Sequence, residues 1–184
     1  MGVENDMKRK SVHFEHVKCV MIKKSYKAYV LKVIKSLLPV FLIATILYIC
    51  FYGGKILSSS MKPTVKKGDF VLANKLAYLF ENPCRGDVIV FYSKEYDQVM
   101  IKRVIGVEGD EISFANGRVY INGCAYEEPY LKSDMVTFAM KNFSVPKDTV
   151  FVMGDNRLNS SDSRYWVQPY ISLKDVYGKV FLIL

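Results

Sequence analysis

Residues 58–69 read SSSMKPTVKKGD, and they follow within a few positions the most strongly apolar segment of the chain. A hydroxyl held in a turn can serve as a nucleophile only beside a base, so the chemistry depends on which base the chain supplies. Its two histidines, His13 and His16, both precede the apolar segment. With histidine confined to that side, a Ser-His-Asp triad, a Cys-His dyad and the common His-liganded catalytic zinc sites are excluded for everything after the segment. A carboxylate, an N-terminal amine or a lysine remains as the base. Lysine serves only when it is neutral, and burial among apolar groups lowers its pKa from about 10.4 toward the working range.

The stretch QVMIKRVIGV at 98–107 offers such a lysine. In an extended strand, Met100, Lys102 and Val104 share one face, and Ile101, Arg103 and Ile105 share the other. Lys102 is thus flanked by a thioether and a branched aliphatic. Lys55, Lys62, Lys66 and Lys67 lie in polar or turn contexts. On spacing alone the ordinary reading of Lys102 is a solvent-facing strand lysine and of SSS a linker, and GDNRLNSSDSRYW at 154–166 reads as well as a polar loop.

The elements that must position these residues begin with the apolar run Ser36–Gly54, 19 residues without a charge. That length spans a hydrocarbon core of about 30 Å as a helix. A buried core helix of this length without a polar face is uncommon, and 35 residues ahead of the run are too many for a cleaved secretory signal. The expectation is an uncleaved anchor over 36–54, preceded by a basic tail over 1–35 and followed by a domain over 55–184. The tail carries nine Lys/Arg against three Asp/Glu, most of the net charge of +8. The positive-inside rule keeps such a tail cytoplasmic and the rest extracytoplasmic. Residues 53–184 carry 17 basic and 15 acidic side chains, so the basic character is juxtamembrane and no nucleic-acid partner is expected.

Beyond the anchor the pattern is mainly β. Strands are expected at 69–75, 87–93, 98–107, 111–115, 118–122, 149–153 and 176–184, rich in Val, Ile, Phe and Tyr. Asn116-Gly117 predicts a two-residue hairpin turn. No window outside the anchor has helical periodicity, residues 76–82 read as a loop or short turn, and 125–147 read as a long connection with room for one hairpin. Of the four cysteines, only Cys84 and Cys124 could pair outside the cell, and two free buried thiols are equally compatible with the sequence. No Cys/His cluster is present, so neither metal nor other cofactor is expected.

SSSMKPTVKKGDFVLANK, RGDVIVF, IKRVIGVEGD and GDNRLNSSDSRYW, in that order behind one anchor, resemble the ordered boxes of bacterial type I signal peptidase, a membrane-bound Ser/Lys protease family. The resemblance implies a signal-peptidase-like β domain behind a single transmembrane helix. It makes Ser60 the nucleophile and Lys102 the general base, with the Ser58 hydroxyl and the Ser60 N–H as the oxyanion hole. It further assigns Ser160 to orienting the lysine ammonium, Asp162 and Arg164 to a supporting ion pair, and Asp155 to the start of the same supporting box, with Gly154, Asn156 and Arg157.

The implied activity is removal of N-terminal signal peptides after small-x-small sites. The implied partners are signal peptides, membrane lipid and, by proximity, the secretion translocase. Shallow apolar pockets would select the small side chains, and Met61 would dip into the lipid surface. Ser59 stands where many bacterial members carry glycine, VEGD replaces Leu-Pro-Gly-Asp, and YWV replaces Tyr-Trp-Gly. The 52 positions from Lys102 to Gly154 leave little room for the family's large inserted domain, as in short forms of Gram-positive type. Alternative tasks are dedicated processing of one pilin or conjugation substrate, or a catalytically silent, membrane-anchored assembly module. A self-cleaving repressor is disfavoured by the anchor.

Overall fold

The computed structural model describes residues 27 and 29–184. His13, His16, Cys19 and most of the basic tail lie outside the described residues. Two compact units divide between Tyr48 and Ile49.

Helix α1, Tyr29–Cys50, is long and apolar enough to cross a membrane. Its apolar side chains, Leu38, Phe41 and Ile46 among them, are exposed rather than packed in a core. It is already helical at Tyr29, seven residues before the uncharged run, because Lys32 and Lys35 are good helix formers that need not end a helix. It stops at Cys50, short of the expected Gly54, since Phe51–Lys55 form strand β1. Those residues are uncharged as far as Gly54, which is why they read as part of the anchor. They pair antiparallel with β2, from Phe51 opposite Asn74 to Lys55 opposite Phe70.

The second unit is mainly β. Its further strands are β2 Phe70–Asn74, β3 Val88–Ser93, β4 Gln98–Gly106, β5 Glu111–Ala115, β6 Arg118–Ile121, β7 Cys124–Ala125, β8 Phe143–Ser144, β9 Thr149–Met153, β10 Tyr170–Ser172 and β11 Val176–Ile183. Seven strands form one antiparallel sheet in the order β1-β2-β11-β3-β4-β9-β10, and four form a second in the order β7-β6-β5-β8. Asn116 and Gly117 both take positive φ, 51° and 72°, as the hairpin between β5 and β6 requires. A single 3-10 turn at Leu173–Asp175 is the only other helical element among the described residues.

Strand β9 shows how the period of two builds the core. Val150 and Val152 join a cluster with Ile89, Phe91, Val104 and Trp166. The intervening Phe151 and Met153 join another with Ile105, Ile112, Val119 and Phe143, which binds the second sheet to the first. Burial of each such side chain contributes about 1.5–3 kcal/mol. A third cluster holds Ile56, Met61, Val65, Val71 and Ile101, beneath the turn that carries Ser60. Met61 is 1% exposed, which corrects its expected place in the lipid surface. The turn aims it inward, where Val65 and Val71 exclude water from it.

Cys50, Cys84 and Cys124 are free thiols, and Cys84 and Cys124 are exposed rather than buried. The loop 125–147 is largely irregular, with the two residues of β8 near its end.

Candidate active site

Lys102 lies in the middle of β4. Met100 and Val104, two residues to either side, both pack with the cluster around Phe91 and Trp166, as strand alternation predicts. The lysine is 3% exposed, and its Nζ donates to Ser60 Oγ at 2.8 Å. Burial pushes the Lys102 pKa down to about 8, against the opposing pull of the Asp162 and Asp155 carboxylates. A lysine in this state is a competent base near neutrality.

Ser60 is 7% exposed and opens a tight turn in which the Val65 N–H donates to the Met61 carbonyl. Ser58 Oγ lies 3.3 Å from Ser60 Oγ. The loop after β9 grips this turn from the other side. The Asn156 N–H donates to the Ser60 carbonyl at 2.9 Å, and its side-chain amide donates to the Ser59 carbonyl at 3.2 Å. Gly154 is required by this approach, because a Cβ there would collide with the Ser60 carbonyl oxygen and Ser160 Oγ.

Ser160, Asp162 and Arg164 converge on the same loop. Arg164 donates to Asp162 through Nε at 2.8 Å and Nη2 at 2.9 Å, and the Gly154 N–H donates to Asp162 Oδ2 at 3.0 Å. The expected ion pair is therefore formed, and it is fully buried. Ser160 Oγ is buried without a hydrogen-bond partner. No hydrogen bond joins it to Lys102 in this structure.

Asp155 has a role beyond its place in the box. It takes Arg103 Nε at 2.8 Å and Nη2 at 2.6 Å, and the Thr64 hydroxyl at 2.5 Å. One carboxylate thus ties the turn of Ser60 to the strand that carries Lys102.

Beside the dyad runs a groove of about 230 Å³ whose walls include Ile56, Leu57, Val71, Val90, Met100 and Ile101, and which reaches Ser58 and Lys102. Sequence reasoning could not name these walls, because they come from four segments that only the fold assembles. No cluster of His, Cys, Asp and Glu able to hold a metal exists among the described residues.

A family model described as signal peptidase, peptidase S26, matches residues 30–184. The chain belongs to this family. Signal peptidase I U of Bacillus subtilis is 36% identical to it over 157 residues, covering 81% of this chain and 84% of that protein. Probable signal peptidase I-2 of a Synechocystis strain is 35% identical over 131 residues, 68% of this chain and 59% of the relative. Signal peptidase I of Leptolyngbya laminosa is 38% identical over 130 residues, and there too the chain spans 63% of the relative's length. A crystal structure of signal peptidase I from Enterococcus faecalis V583 aligns with a TM-score of 0.47 at 28% identity, over 55% of this chain and 98% of that one.

Several contacts in this signal peptidase family member escaped the sequence reading. Arg103 and Thr64 stood in the quoted boxes, and the opposite faces of Lys102 and Arg103 were predicted, but nothing in the sequence named Asp155 as their shared partner. Glu128 lies in the loop read as a connection. It accepts from both terminal nitrogens of Arg157, a side chain fully buried 29 positions away.

Proposed function

We propose that this chain is a membrane-anchored serine endopeptidase that removes N-terminal signal peptides from exported precursors. The observation that carries the reading is the 2.8 Å contact between Lys102 Nζ and Ser60 Oγ, in a chain of the signal peptidase family, with the lysine buried. Ser60 Oγ attacks the scissile carbonyl carbon while neutral Lys102 takes its proton. The Ser58 hydroxyl and the Ser60 N–H receive the developing oxyanion, a contribution of about 3–4 kcal/mol for one such donor. Lys102 returns the proton to the leaving amine as the C–N bond breaks, and the signal peptide stays as an ester on Ser60. Water attacks that ester while giving a proton to Lys102, and Lys102 passes the proton to Ser60 Oγ as the C–O bond breaks, which frees the serine and the acid product. Ser160 Oγ, buried without a partner, is suited to accept from the Lys102 ammonium formed in each half-reaction. Asp162 with Arg164, and Asp155 with Arg103, hold the surrounding loop and strand.

Residues 98–102 pair with β3 along one edge, and β9 takes up the other edge only from Arg103 onward. An extended substrate segment can add to that open edge, with its small side chains in the apolar groove. Helix α1 is the anchor, the basic residues ahead of it stay on the cytoplasmic side, and Ser60 works at the outer lipid interface close to the secretion translocase. There it meets a signal peptide in two dimensions. The test is cleavage of a secretory precursor by the purified full-length protein, with the new N-terminus sequenced. A cut after a small-x-small site supports the reading, and an intact precursor in lipid and in detergent refutes it.

A further inference from the structure

A second cavity, of about 330 Å³, is lined by Lys62, Pro63, Lys66, Lys132, Met135 and Asn156. Of the residues that adjoin Ser60 in the chain, Ile56, Leu57 and Ser58 on its N-terminal side line the groove beside the dyad, and Lys62 and Pro63 on its C-terminal side line this cavity, so the segment carrying the nucleophile runs from one to the other. Asn156 fixes that relation, since its N–H donates to the carbonyl of Ser60 itself. The lining carries three lysines and no carboxylate. None of the three lysines joins an ion pair among the described residues. The nearby Asp69 carboxylate accepts from the Lys66 backbone N–H, which stabilises the turn, and is not part of the lining.

Lys132 reaches this place on a loop pinned at both ends. Glu128 takes the Arg157 guanidinium and the Tyr130 hydroxyl, Arg157 Nη1 donates to Thr137 Oγ1 at 2.6 Å, and the Thr137 N–H donates to the Gly117 carbonyl. A buried framework therefore holds a third cation beside two others, in a region whose charges otherwise nearly balance. Convergent like charges repel, and an anion placed among them relieves the repulsion.

We infer that this cavity receives the first residues after the scissile bond and favours acidic side chains there. The inference rests on the peptidase reading above. With the signal-peptide side of the substrate in the groove reaching Ser58, the other side of the scissile bond leaves across Lys62 and Pro63. Because the lysines are exposed, their attraction is screened, and the preference for acidic over amide residues is about 3- to 10-fold at low salt.

The experiment uses precursors that share one signal peptide and cleavage site and differ in the four residues that follow: Asp/Glu, Asn/Gln or Lys. Values of kcat/KM are measured with the full-length protein in neutral detergent. The acidic precursor is expected to be cut about 3- to 10-fold faster than the amide one at low salt, with the lysine precursor slowest. The ratio falls toward one at about 1 M salt, where screening acts over about 3 Å. It also falls toward one in the Lys62→Gln, Lys66→Gln, Lys132→Gln triple variant, and it survives when all three are replaced by arginine. A wild-type ratio near one at low salt overturns the inference. So does a ratio unchanged in the glutamine variant, and if that variant also binds phosphatidylglycerol vesicles less well, the lysines serve a lipid surface instead. Failure to cut any precursor removes the peptidase reading itself, and this inference with it.

Discussion

Arg103 closes on both oxygens of Asp155, at 2.8 and 2.6 Å, one residue after the lysine that reaches Ser60. Strand β4 thus sends Lys102 to Ser60 and the following side chain to a carboxylate that also holds Thr64, four residues beyond Ser60. The distance between Lys102 Nζ and Ser60 Oγ is set from both ends of this link.

Removing one partner separates scaffold from chemistry. Asp155→Asn leaves the Arg103 guanidinium buried without its charge partner and should cost about 3–5 kcal/mol of stability. Thr64→Val deletes two hydrogen bonds, one donated to Asp155 and one accepted from Arg103 Nη2 at 3.3 Å, and should cost about 1–3 kcal/mol. Thermal unfolding in detergent checks both, and the Thr64 variant should cleave more slowly while remaining folded.

The pH dependence follows from the Lys102 pKa near 8. At that value about one lysine in ten is neutral at pH 7 and about nine in ten at pH 9. In a pH–rate profile, kcat/KM should rise roughly tenfold between pH 6 and pH 7 and level off above about pH 9. A profile flat from pH 6 to pH 9 contradicts lysine as the base.

The same lysine weakens the fold. Its pKa is lower folded than unfolded, so between about 8 and 10.5 the unfolded chain binds more protons, and stability rises with pH across that window. Below pH 8 the whole penalty is present. Lys102→Met should therefore be inactive yet more stable at pH 7 by about 1–3 kcal/mol, with the gain shrinking by pH 10. Melting curves of both proteins at the two pH values decide this.

Gly154→Ala tests the approach of the two loops. The added Cβ meets the Ser60 carbonyl, which is backbone and cannot swing aside. Overpacking of this kind costs about 1–3 kcal/mol. A displacement of about 1 Å at the nucleophile can cost about 100-fold in rate. Melting temperature and kcat for this variant should both fall.

Strands with a clear period of two were legible in the sequence, β9 and β4 above all, because their alternate residues serve two different apolar clusters. Asn116-Gly117 announced its turn for a local reason, the positive φ of both residues. Strand β1 was hidden because Phe51–Gly54 continue an uncharged run, and only pairing with residues some 20 positions later distinguishes them from the anchor. Strands β7, β8 and β10 are two or three residues long, too short for any periodicity. At the site, alternation gave Lys102 its face, but its burial depends on distant elements. The link from resemblance to Ser60 and Lys102 needed their boxes in order. The Glu128–Arg157 pair joins segments that no local pattern relates.

The proposed cleavage needs Ser60 and Lys102 together. The most direct test is cleavage of one secretory precursor by the wild type, Ser60→Ala and Lys102→Ala, all purified full length, in detergent or lipid. The wild type should cut after a small-x-small site and each variant should lose at least about 1,000-fold in kcat, with melting temperatures preserved or raised. Cleavage by either variant at the wild-type rate contradicts it.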